Sequence, residues 1–135
     1  MKRRVARIKA VQALYQVEMT GVNPEEAIKT VLEENERMDP YLLTLVERVL
    51  EEMDELDIKI QDSMDNWQLS RLARVDRAIM RIAMYEMIHS DDVPVSVAIN
   101  EAIDLARGFS GDEESGKFVN GVLSNAAKKL GENDG

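Results

Sequence analysis

Leu72-Ala73-Arg74-Val75-Asp76-Arg77-Ala78-Ile79-Met80-Arg81-Ile82-Ala83-Met84-Tyr85-Glu86-Met87-Ile88 is the most apolar stretch of the chain. Leu72, Val75, Ile79, Ile82, Ala83, Met84, Tyr85 and Met87 recur at helical intervals and cover much of a helix circumference. A helix with so little polar surface has to be enclosed by others, so it belongs at the centre of a bundle. Upstream, Leu56, Ile60 and Met64 imply another helix, Asn66-Trp67-Gln68-Leu69-Ser70 reads as the break after it, and Ser70 is placed to cap the central helix. Downstream, Ser90-Asp91-Asp92-Val93-Pro94 ends the central helix. Val97, Ile99, Ala102, Ile103 and Ala106 stripe the next one, and Gly108 is expected to close it.

The same periodicity runs to both ends. A first helix is predicted from Arg3 to Met19, with Val5, Ile8, Val11, Gln12, Leu14 and Tyr15 on one face and a stop at Gly21. Asn23-Pro24-Glu25-Glu26 has a cap residue, proline at the first helical position and glutamate three past the cap. Asp39-Pro40 repeats the device ahead of Tyr41, Leu42, Leu45, Val46, Val49, Leu50 and Met53. Ser110-Gly111-Asp112-Glu113 has capping-box spacing before a last helix carrying Phe118, Val119, Val122, Leu123 and Leu130. No stretch alternates with period two, so the fold class is all-α, with about seven helices. The 135 residues suit one domain, and Gly131 to Gly135 read as a loose tail.

Several chemistries lack their ingredients. With no cysteine there are no disulfides, thiol nucleophiles or cysteine-based zinc sites, and no glycine-rich phosphate loop is present. His89 is the only histidine and sits at a predicted helix end, where an exposed histidine is ordinary. Glu101 and Asp104 lie three apart, a spacing more common on solvated faces than at metal sites. No catalytic activity, metal or cofactor is therefore expected. No apolar run reaches the roughly 20 residues that span a bilayer, and a secretory h-region is absent near Met1, so a cytoplasmic protein is expected.

The formal net charge of −9 is unevenly spread. Lys2, Arg3, Arg4, Arg7 and Lys9 precede the first acidic residue, Glu18, so a basic arm leads an acidic body. The helix dipole disfavours cations at an N-terminus, so this cluster is not one that local structure demands. At about 100° per residue, Arg4 and Tyr15 fall within about 20° of each other, with Arg7 about 80° from Tyr15. Cations beside an aromatic ring suit single-stranded RNA, through phosphate pairing and base stacking. A solvated tail accounts for the charges equally well, and a lone Tyr15 is more often core. Ser115, Gly116 and Lys117 open the last helix, where free N–H groups and a lysine suit a phosphate, although Glu113 and Glu114 suit ordinary capping of the same end. Phe118 reads as either core or base-facing. Arg71, Arg74, Arg77 and Arg81 form a row read as a solvated or salt-bridged face in preference to a second nucleic-acid stripe.

Four segments together resemble the NusB family of bacterial antitermination factors. They are Arg3-Arg4-Val5-Ala6-Arg7 with Val11-Gln12-Ala13-Leu14-Tyr15-Gln16; Val75 to Glu86; Val93-Pro94 leading into Ala98-Ile99-Asn100-Glu101-Ala102; and Ser115-Gly116-Lys117-Phe118-Val119-Asn120-Gly121-Val122-Leu123. The resemblance implies two small helical bundles in one domain. It also implies non-catalytic binding of single-stranded boxA RNA with a NusE-type small-subunit ribosomal protein, within an RNA polymerase antitermination complex that supports ribosomal RNA transcription. By position it assigns RNA contacts to Arg3, Arg4, Arg7, Tyr15, Lys117 and Phe118, a protein contact to Asp76, and a modulating role to Glu114. It admits a homodimer and implies no membrane partner. Val5 stands where some relatives carry arginine, which implies weaker RNA binding, and Ser124 stands where aspartate is frequent. A fused RNA methyltransferase, another setting for such domains, would need an α/β segment and a nucleophilic cysteine.

Overall fold

The computed structural model describes residues 1–134, among which there are seven α-helices, one 3-10 turn and no strand. They group into two compact units, Met1–Glu52 and a second beginning at Met53. These correspond to the two small bundles expected from the resemblance. No helix among the described residues is long and apolar enough to cross a membrane.

In the first unit α1 (Arg3–Thr20) packs against α2 (Pro24–Val31) and α3 (Pro40–Glu51). Gly21 ends α1 in the left-handed region, φ 74°, and its N–H donates to the Val17 carbonyl. Asn23 caps α2 by accepting from the Glu26 N–H at 2.9 Å, and Asp39 caps α3 by accepting from Tyr41 and Leu42. Ala10, Val11, Ala27, Ile28, Leu42, Leu45, Val46 and Val49 form the core.

The buried face of α1 differs from the predicted one. Val11 and Leu14 are inside, but Val5 and Ile8 are half-buried, and Gln12 and Tyr15 are exposed. The packed face runs through Ala6, Arg7, Lys9, Ala10, Val11, Ala13 and Leu14. Alanines weigh little in a hydrophobic stripe yet let neighbouring helices approach closely. Two cations on that face conceal it further, because charged side chains are rarely buried unless paired.

In the second unit α4 (Met53–Asp62), α6 (Val95–Ser110) and α7 (Glu113–Asp134) pack around α5 (Arg74–His89). The central position predicted for α5 is observed: Ile79, Met80, Ile82 and Met84 are fully enclosed, and Glu86 is buried with them. Leu56, Ile60 and Met64 face the same core.

Three predicted boundaries need correction. Ser70 does not cap α5; it lies in a 3-10 turn, Leu69–Arg71, and its carbonyl accepts from Arg77 Nη1 at 3.0 Å. Gly108 does not end α6, which continues to Ser110 and closes on Gly111 at φ 76°. Asp112, rather than Ser110, caps α7 by accepting from the Ser115 N–H at 2.9 Å. The α6 stripe is Ala98, Ala102, Leu105 and Ala106, with Val97 exposed. α7 buries Val119, Val122, Leu123 and Ala126. Gly131, where a loose tail was expected to begin, is helical, as is the backbone to Asp134; Gly135 lies outside the described residues.

Candidate nucleic-acid interface

The basic N-terminus divides in two. Lys2, Arg3 and Arg4 are exposed. The Arg3 guanidinium lies 4.3 Å over the Tyr41 ring, and the Met1 amine is 3.8 Å from the Asp39 carboxylate, so the arm is held against the start of α3. Arg4 and Tyr15 share one side of α1, about 16 Å apart along its axis. Tyr15 is 39% exposed, which turns an aromatic surface outward on the same side as the arginine.

Arg7 and Lys9 belong to the packing instead, being 4% and 7% exposed. The resemblance counts Arg7 among the RNA contacts, yet its side chain is enclosed here. Lys9 Nζ donates to the Val31 carbonyl at 2.9 Å and to Glu36 Oε1 at 2.6 Å. Glu36 Oε1 also accepts from the Glu33 N–H at 2.8 Å, so one carboxylate ties α1 to the turn after α2. The Lys9 hydrogen bond, followed by the Glu33 N–H, holds the Glu36 carboxyl below its ordinary value.

In the second unit, Lys117 is 70% exposed in the first turns of α7, and its ammonium lies 3.5 Å from Glu114. Glu113 pairs with Arg107 at 3.0 Å. Gly116 is buried: a Cβ there would stand 2.9 Å from Arg107 Nε and 3.3 Å from Ile103 Cγ2. Its lack of a side chain thus serves the close approach of α6 and α7, not an open phosphate cradle. Phe118 is half-buried and meets the Trp67 ring edge to face, with centroids 5.5 Å apart and planes at 72°. Trp67, read from sequence only as part of a helix break, is 57% exposed. Its signal was the placing of the chain's one tryptophan in a polar connection between helices.

The arginine row does not act as a unit. Arg81 makes a two-pronged pair with Asp57, at 2.7 and 2.8 Å, and Arg77 reaches the Ser70 carbonyl, while Arg71 and Arg74 are exposed. Asp76, in the first turn of α5, is half-buried; burial and then the neighbouring Asp112 charge raise its carboxyl above the ordinary range. His89 is exposed at the end of α5, its ring 5.1 Å from Tyr85. Glu101 and Asp104 join no group of three metal-ligating side chains among the described residues.

The fold and these surfaces define an all-α protein that presents cations and aromatic rings from its helices. Residues 4–128 match the NusB family, and the chain belongs to it. It is 52% identical to the transcription antitermination protein NusB of Bacillus pumilus over 96% of this chain and 98% of that protein. The Bacillus subtilis counterpart is 53% identical, over 93% of this chain and 94% of its own. Among solved structures, T. maritima NusB superposes with a TM-score of 0.82 at 34% identity, covering 95% of this chain and 92% of that one. A NusB solved with NusE and double-stranded RNA also superposes at 0.82, with 32% identity and coverages of 94% and 96%.

Proposed function

We propose that this chain binds boxA-type single-stranded RNA together with a NusE-type small-subunit ribosomal protein, as a non-catalytic cytoplasmic factor supporting ribosomal RNA transcription within an RNA polymerase antitermination complex. The observation that carries this reading is the outward side of α1, where Arg4 and Tyr15 are both exposed at nearly the same helical azimuth. Phosphates suit the arginines and an unpaired base suits the ring. Lys117 and Phe118 supply the same two chemistries from α7. The solved relative in complex with NusE and double-stranded RNA supports RNA and a NusE-type protein as classes of partner.

Arg7 takes a different part. Buried within the α1 packing, it positions the helix that carries Arg4 and Tyr15, so its influence on RNA is indirect. Asp76 fits the assigned protein contact: a carboxylate kept half-buried and facing another acidic group gains from a cation brought by a basic partner. Glu114, beside Lys117, opposes phosphate and lowers RNA affinity.

Fluorescence anisotropy of a labelled boxA-like RNA and a scrambled RNA of equal length, with and without the NusE-type protein, tests the reading. Tighter, sequence-selective binding with the partner is expected. Equal weak binding to both RNAs, unaffected by the partner, would overturn it and leave a protein-only scaffold whose basic arm is incidental.

A further inference from the structure

The loop between α4 and α5 is held more firmly than a connection requires. The Gln61 side-chain amide bridges it: Nε2 donates to the Trp67 carbonyl and Oε1 accepts from the Leu69 N–H, both at 2.8 Å. Asn66 takes a left-handed conformation, φ 64°, which asparagine tolerates better than most side chains, and Leu69 anchors the far side in the core. Phe118 braces the indole from α7. After all this bracing Trp67 remains 57% exposed. Whichever ring presents its edge in the 72° contact, at least one indole face is left uncovered by Phe118.

A large apolar ring held rigidly and left in water gains little for folding, since its burial would stabilise the chain further. Pre-ordering does favour a ligand, because the rotamer entropy is lost before binding. The ligand is indicated by the neighbour: Lys117, adjacent to the bracing Phe118, presents an ammonium within α7. A flat aromatic face, with a lysine one residue from the ring that braces it, suits an unpaired base and its phosphate.

We propose that Trp67 is an additional RNA-binding residue, whose open indole face stacks on an unpaired nucleobase while Phe118 braces the ring and Gln61 fixes the backbone that carries it. This deepens the RNA reading above and rests on it. The specific claim is that the site extends from α7 onto the α4–α5 connection, with Gln61 as a positioning residue.

Trp67 is the only tryptophan, so its emission reports on this position alone. The full chain is titrated with a boxA-like single-stranded RNA, following tryptophan emission and, separately, anisotropy of labelled RNA. Saturable quenching with the same midpoint as the anisotropy is expected. Trp67→Ala should weaken binding by about tenfold, Trp67→Phe by less because a ring remains, and Gln61→Ala to an intermediate degree, with helical circular dichroism unchanged. RNA that binds by anisotropy while emission stays constant and Trp67→Phe and Trp67→Ala match the parent would overturn the proposal and leave the RNA reading intact. No RNA binding by either method would remove both. Emission that responds to the NusE-type protein but not to RNA would make this a protein-docking ring and likewise overturn the proposal.

Discussion

Two arginines three positions apart on α1 have opposite fates, and substitution separates them. Arg4 is exposed, so Arg4→Ala should leave stability within about 0.5 kcal/mol of the parent while lowering RNA affinity. Arg7 is enclosed, so Arg7→Ala should lose at least about 1 kcal/mol of stability, since its stem packs as well as its charge. Urea midpoints measured beside anisotropy distinguish these outcomes; an Arg7→Ala protein of full stability with lost RNA binding would place Arg7 in direct contact. Lys9 and Glu36 give a pH signature. The Glu36 carboxyl is held below its ordinary value, so its contribution to stability is complete above the ordinary carboxylate range and is lost as the pH falls through the lowered folded value. Glu36→Gln should flatten the fall in stability on the acid side, and an unchanged pH profile would disprove the assigned role. The exposed part of the candidate site was legible in the residues themselves: consecutive cations, a helical phase shared by Arg4 and Tyr15, and lysine beside phenylalanine. Buried Arg7 and Lys9 were not, because their burial depends on partners far along the chain, such as Glu36, 27 residues beyond Lys9.

At the scale of helices, the elements written by local chemistry were readable. Asn23-Pro24, Asp39-Pro40 and Gly21 each place a boundary through the backbone N–H or carbonyl that they satisfy, and each does so in the structure. Boundaries failed where two residues of suitable type competed. Gly108 and Gly111 can both follow a helix, and only Gly111 takes a positive φ; Ser110 and Asp112 can both cap, and Asp112 stands three residues before the N–H that it receives. The interior of α5 is the firmest element, so Ile79→Ala should cost roughly 2–5 kcal/mol by leaving a cavity in a fully enclosed position. A loss below about 0.5 kcal/mol in chemical denaturation would contradict the central packing of α5. α7 offers the reverse case. Gly121 lies inside the helix with no positive φ, and an added Cβ would meet nothing within 4 Å. Gly121→Ala should therefore stabilise by about 0.5–1 kcal/mol through reduced unfolded-state freedom and higher helix propensity. A lower denaturation midpoint would show an unfavourable contact at that position.

For the molecule as a whole, the sign and placing of charge set how binding responds to salt. A net charge of −9 repels nucleic acid at long range, so RNA affinity has to come from local cations that outweigh the surrounding acid. Lys2, Arg3, Arg4 and Lys117 are the exposed basic residues of the two candidate surfaces, whereas Arg7 and Lys9 are enclosed in the packing. If each of these four meets one phosphate of a single strand, the logarithm of the affinity should fall with the logarithm of salt concentration with a slope near about −3. Removing Arg4 should reduce that slope by about 0.7, while Trp67→Ala should lower affinity without changing it, because stacking releases no counterions. Anisotropy titrations between low and moderate salt separate the two contributions. A slope near zero in the parent would mean that the basic arm is a solvated feature of the fold, and a slope unchanged by Arg4→Ala would move the phosphate contacts off α1.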